Sequence, residues 1–176
     1  MKLEVDGYVF NFPAAIALFK FDETDKTKPM FHGAPMKGVD LVAEFADKYL
    51  YVEIKDYDDV SELDKRTAPD EANQQAKNKH FKWLKNYLKY KFRDSYLYRH
   101  AEDKVELEKP IHYICLTNFD NGLNTLMKKE LASELPVGKK SRRWNRSLAK
   151  SCQVLNLATW NNNPVFSTSP LQRATT

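Results

Sequence analysis

The eighteen residues from Gly38 to Lys55 constrain the fold more than any other part of the chain. They read as two strands around a tight turn at Asp47-Lys48. Alternate positions Leu41, Ala43, Phe45, Leu50, Val52 and Ile54 are all apolar. Side chains alternate across a strand, so one face of this hairpin is a continuous apolar surface. A one-residue slip would mix the two faces, which fixes the alternation. With the turn at Asp47-Lys48, Ala46 pairs with Tyr49, Glu44 with Tyr51, Val42 with Glu53 and Asp40 with Lys55.

The opposite face gathers Asp40, Glu53 and Lys55 at one end of the hairpin. Two carboxylates side by side offer hard oxygen ligands suited to Mg²⁺ or Mn²⁺, and the carbonyl of Ile54 adds another oxygen. Like charges so close favour a bound cation. Lys55 is the residue to position a water or to offset charge on a phosphate. Such a set fits metal-assisted hydrolysis of a phosphodiester. The plainer alternative is the wet face of a half-exposed hairpin. Glu-x-Lys also occurs at Glu102-Asp103-Lys104, in a polar stretch with no strand around it.

The other elements fit an α/β domain with a mixed central sheet and flanking helices. Residues 3–12 read as a hairpin around Asp6-Gly7. Pro13 opens a helix expected over 13–23, which ends at Asp22 and Glu23. Residues 24–38 have loop chemistry, with a short strand near Met30-Phe31. A long helix is expected from Ala68 to Tyr98, a strand over Ile111–Phe119, a helix over Asn124–Leu135 and a strand over Ser151–Trp160. The chain's 176 residues suit one domain, 1–176, with its core over about 13–160 and a loosely ordered tail from 161 to 176.

Gly38-Val39-Asp40, twelve residues and then Glu53-Ile54-Lys55 resembles the signature of the PD-(D/E)XK nucleases, which include restriction endonucleases and Holliday-junction resolvases. The resemblance covers roughly residues 13–120 and implies a restriction-endonuclease-like α-β-β-β-α-β core. It implies that Asp40 and Glu53 bind Mg²⁺ or Mn²⁺, and that Lys55 positions the water and stabilises the transition state. It offers Glu23 or Asp22 as a further acid from the first helix. Val39 stands where the motif's Pro often stands. Some members carry Gln-x-x-x-Tyr in the following helix. Here Gln74 and Gln75 are present, but Asn78 and Lys79 replace the Tyr. The activity implied is nucleic-acid hydrolysis, with DNA the expected substrate and a homodimer the natural way to cut both strands. The alternative is a non-catalytic nucleic-acid- or protein-binding module on the same fold, such as a subunit of a defence or repair complex.

Charge placement agrees with a polyanionic partner. The net charge is +4. From Lys77 to Arg93 there are seven lysines and arginines and no acid. On a helix, Lys82, Lys85, Lys89 and Arg93 form a basic ridge beside an apolar stripe of Phe81, Leu84, Leu88 and Phe92. A second basic patch runs from Lys139 to Arg146. There Arg142, Arg143 and Arg146 offer phosphate contacts and Trp144 a stacking surface. The acidic run Asp56, Asp58, Asp59, Glu62 and Asp64 reads as a solvated loop. Cys115 and Cys152 read as small core residues. His32, His80, His100 and His112 show no metal-ligand spacing. No apolar run is long enough to cross a membrane, and the N-terminus lacks the features of a signal peptide, so a cytoplasmic protein is expected.

Overall fold

The computed structural model describes residues 1–31, 33, 35–56 and 71–174, without the side chains of residues 71–79. The acidic run beyond Asp56, His32, the start of the long helix and the side chains of Gln74, Gln75, Asn78 and Lys79 lie outside the described residues. A first hairpin, β1 (Lys2–Val5) and β2 (Tyr8–Asn11), turns at Asp6-Gly7 as expected. Both turn residues have positive φ, 48° and 74°, the conformation for which Asp-Gly is suited.

The expected helix over 13–23 does not form. β3 (Ala17–Lys20) stands there and pairs antiparallel with β4 (Leu41–Glu44). The Ala-Ala-Ile-Ala-Leu-Phe run suits a helix locally, but pairing against a sheet edge overrides that preference. Met30-Phe31 is no strand either; the Phe31 N–H donates to the Lys28 carbonyl in a turn. β4 pairs antiparallel with β5 (Tyr49–Lys55). Helix α1 (Glu71–Ala101) then crosses to β6 (Ile111–Thr117), parallel to β5. Helix α2 (Asn121–Glu134) crosses to β7 (Ser151–Leu155), parallel to β6. The result is a mixed five-stranded sheet in the order β3-β4-β5-β6-β7.

The last strand ends at Leu155 rather than at Trp160. Asn156 caps a short helix, α3 (Leu157–Asn161), with a capping box through Thr159. The segment beyond, expected to be loose, contains a 3₁₀ turn (Pro164–Phe166) and β8 (Leu171–Arg173). β8 pairs with β2, which gives a second sheet in the order β1-β2-β8.

Three layers follow. Under the main sheet, Leu41, Ala43, Phe45, Leu50, Val52 and Ile54 pack on Tyr8, Phe10, Phe12, Trp160 and Phe166. Above it, Val42, Tyr49, Tyr51, Tyr113 and Cys115 pack on Leu84, Leu88 and Phe92 of α1 and on Met127 and Leu131 of α2. Cys115 and Cys152 are free thiols within this core. Among the described residues, no helix is long and apolar enough to cross a membrane.

Candidate active site

The hairpin faces are as expected, but its register is shifted by two residues. Leu41 pairs with Val52 and Glu44 with Tyr49, and the Phe45 N–H donates to the Lys48 carbonyl. The turn is therefore centred on Ala46-Asp47. A shift of two keeps every side chain on its face, so hydrophobic alternation alone could not separate the two registers. Continuing this register places Asp40 opposite Glu53 rather than Lys55.

Asp40, Glu53 and Lys55 do share a face, and α1 covers it. Glu53 is fully buried and Asp40 is 8% exposed, so the solvated-face alternative is excluded. Gly38 brings the chain to Asp40 over the ring of Phe21. A Cβ added at Gly38 would sit 3.1 Å from Phe21 Cδ1. The Val39 N–H donates to Ser95 Oγ at 2.8 Å, and that hydroxyl donates to the Lys91 carbonyl at 2.7 Å. The entry to β4 is thereby tied to α1. Asp40 Oδ2 accepts from the Ile54 N–H at 2.6 Å, which fixes its rotamer against β5.

Two ammonium groups face the carboxylates. Lys55 Nζ lies 3.2 Å from Glu53 Oε1. Lys91, a residue of α1 absent from the sequence-based site, is 3% exposed. Its Nζ lies 2.8 Å from Asp22 Oδ2, 3.4 Å from Glu53 Oε2 and 3.6 Å from Asp40 Oδ1. Three lysines surround the ring of Tyr87. Lys55 Nζ is 4.6 Å from its centroid, Lys37 Nζ 5.0 Å and Lys91 Nζ 5.5 Å.

Burial and the Asp40 charge push the Glu53 carboxyl up to about 8, against the pull of Lys91 and Lys55. Burial likewise raises Asp40, against Lys91 and the Ile54 N–H. Burial works to lower Lys55, but Glu53, Tyr87 and Asp40 outweigh it and the ammonium is held above its ordinary range. Burial works to lower Lys91 as well, but Glu53, Asp40, the Asp22 hydrogen bond and Tyr87 together outweigh it and hold its ammonium above the ordinary range. Lys55 is therefore a cation near neutral pH. It can hold a phosphate oxygen or orient a water, but it is not poised to take a proton.

Asp40 and Glu53 supply hard oxygens, and neither Glu53 oxygen accepts a hydrogen bond although both are buried. That pair fits Mg²⁺ or Mn²⁺. Among the described residues, no group of three or more acids, histidines or cysteines is close enough to hold a metal. Glu23 does not join the site; its Oε1 accepts from the Asp25 N–H at 2.9 Å. With a strand in place of the first helix, Asp22 reaches inward and Glu23 turns to the loop.

The basic residues divide. Lys85 and Lys89 are paired with Glu130 and Glu134 of α2, while Lys82 and Arg93 are exposed. Arg142 and Arg143 are exposed, and Arg146 Nη1 lies 3.4 Å from Glu108 Oε1. Trp144 is half-buried and lines a cavity with Arg93, Tyr96, Leu97 and Lys140, along the C-terminal half of α1. His112 Nδ1 is hydrogen-bonded to Ser151 Oγ at 2.8 Å on neighbouring strands.

Comparison with protein-family models, with curated proteins and with solved structures finds no match for this chain.

Proposed function

We propose that the chain is a nuclease of the PD-(D/E)XK type, which hydrolyses phosphodiester bonds of nucleic acid with Mg²⁺ or Mn²⁺ and acts on DNA. The observation that carries this reading is the Glu53 carboxylate. It is fully buried beside Asp40, with both oxygens lacking a hydrogen-bond donor and Lys55 at 3.2 Å. Two carboxyls crowded in a buried site resist ionising together, as the rise of Glu53 to about 8 reflects, and a bound divalent cation would relieve that crowding. The β3-β4-β5-α1-β6 order, with Asp40 beside β4 and Glu53 and Lys55 on β5, agrees with a restriction-endonuclease-like core that lacks its first helix.

In this reading Asp40 and Glu53 hold the divalent ion. The ion would supply Lewis-acid activation of the phosphate and of a water. Lys55 neutralises charge on the phosphoryl oxygens. Lys37 and Lys55 beside Tyr87 draw the phosphate toward the site, and exposed Lys82, Arg93, Arg142 and Arg143 extend the contact along the backbone. The test is a cleavage assay on labelled DNA and RNA with Mn²⁺, Mg²⁺ or EDTA. Wild type should cut DNA only with metal. Lys55→Ala should lower the rate by about a hundredfold or more, the scale for loss of one charge-stabilising group. Equal cutting by both proteins, or no cutting on any substrate, would sink the reading.

A second reading is a non-catalytic binding module on the same fold, acting as a subunit of a larger assembly. The Lys91 ammonium favours it, because it already compensates the carboxylates. A chain of this kind would bind DNA in a salt-dependent manner without cutting it.

A further inference from the structure

We infer that Lys91 is the resident cation of the Asp22–Asp40–Glu53 nest, and that a divalent metal must displace its ammonium to reach Asp40 and Glu53. The inference deepens the nuclease reading and rests on it.

The geometry argues for a tethered occupant rather than a packing residue. Lys91 Nζ lies within 2.8–3.6 Å of one oxygen from each of three carboxylates. Those carboxylates come from three places in the sequence: after β3, at the start of β4 and near the end of β5. The ammonium thus lies between Asp40 and Glu53, in the place that a cation held by that pair would take. Lys55 cannot serve the same end, since it meets Glu53 through the other oxygen, Oε1. Nor does Lys91 satisfy Glu53 by hydrogen bonding; Oε2 keeps no aligned donor. A dipositive ion bound to Asp40 and Glu53 within ordinary ligand distance would bring two cations into repulsive contact inside a buried site.

The structure also provides an exit. The shortest contact of Lys91 is with Asp22, whose side chain is 33% exposed, whereas its contacts to Glu53 and Asp40 are longer. A small swing toward Asp22 keeps one ion pair and frees both inner oxygens. Asp22 is then a parking partner for the lysine, not a third metal ligand.

The test is Mn²⁺ binding measured by calorimetry on wild type, Lys91→Met and Lys91→Arg. Lys91→Met should bind Mn²⁺ about tenfold more tightly or better, since the competing charge is gone and Met keeps the length of the stem. Lys91→Arg should retain the wild-type affinity, and adding Glu53→Gln to Lys91→Met should abolish the gain. Equal or weaker binding by Lys91→Met would overturn the inference, as would an absence of binding by every protein. If Lys91→Met does not fold without metal, the wild type decides by NMR of its lysine side chains. Adding Mg²⁺ should shift the Lys91 Nζ resonance and speed its proton exchange. A resonance that stays fixed while Mg²⁺ binds would count against displacement. Cleavage is scored separately. A metal-dependent nuclease with unchanged Lys91→Met affinity loses this inference and keeps its activity. Tighter binding by an inactive protein does the reverse.

Discussion

Helix α1 carries two lysine–carboxylate clusters that use the same chemistry in opposite surroundings. On its outer side Lys85 Nζ lies 2.6 Å and 3.2 Å from Glu134 and Glu130, and Lys89 Nζ lies 2.6 Å from Glu134, all with partly exposed side chains. On its inner side Lys91 meets Asp22, Asp40 and Glu53 under the helix. The outer cluster clasps α1 to α2. Water screens such pairs, and each contributes about 0–1 kcal/mol. The inner cluster is desolvated, and removing one partner strands a buried charge at a cost of ~3–5 kcal/mol. An apolar replacement of the whole inner set would hold the layers together as well or better. The outer cluster is explained by the helix contact it makes. The inner one is not explained by stability, which is the reason to read it as the candidate site.

Truncation should divide the clusters most sharply. Lys91→Ala should lower the unfolding free energy by ~3–5 kcal/mol, against less than about 1 kcal/mol for Lys89→Ala, measured by urea denaturation. Equal costs would mean that the inner cluster is hydrated and the contrast false. Ser95→Ala comes next. It leaves the Val39 N–H without its partner and should cost ~1–3 kcal/mol.

Proton linkage sharpens the contrast further. Glu53 titrates near 8 when folded against 4.5 ordinarily, so the folded state holds the extra proton between those values. Stability from this group is full below about 4.5 and is lost as pH rises through 8. Asp40, also raised, acts with the same sign. Glu134 runs the other way. Hydrogen bonds from Lys85 and Lys89 lower it to about 2, so its contribution is present above 4.5 and fades as pH falls toward 2. Thermal melts from pH 4 to pH 9 should show a decline with rising pH in wild type and a flatter profile in Glu53→Gln. An unchanged slope in Glu53→Gln would place the proton elsewhere. The smallest effect is ionic. The difference between wild type and Lys89→Gln should vanish in 1 M salt, where the screening length is about 3 Å, while the cost of Lys91→Ala should persist.

Asp40, Glu53 and Lys55 were legible because strand alternation is a strict rule and their neighbours are uniformly apolar on the other face. The pairing of Asp40 was not, since two registers two residues apart give the same faces. Lys91 was concealed in the basic run. At about 100° per residue it falls about 20° beyond the Leu84 edge of the apolar stripe, and Lys85 falls about 20° beyond the Phe92 edge, so helical periodicity does not single Lys91 out. Its burial is set by the sheet that faces it, where three carboxylates meet its ammonium. β3 was misread because six residues of good helix formers carry no local mark of the strand that pairs with them. β8 was illegible for a related reason: its three residues become a strand only against β2, from the far end of the sequence.

That last pairing has a kinetic consequence. Tyr8 and Phe10 meet Arg173 and Leu171 across nearly the whole chain, so the loop to be closed is about as long as the sequence allows. As the chain leaves the ribosome, β1 and β2 emerge before the main sheet and can cover only part of its apolar underside. Trp160, Phe166 and Leu171, which complete that layer, are made only after the main sheet. Until then the growing chain, unlike the folded one, exposes a broad apolar face to its neighbours.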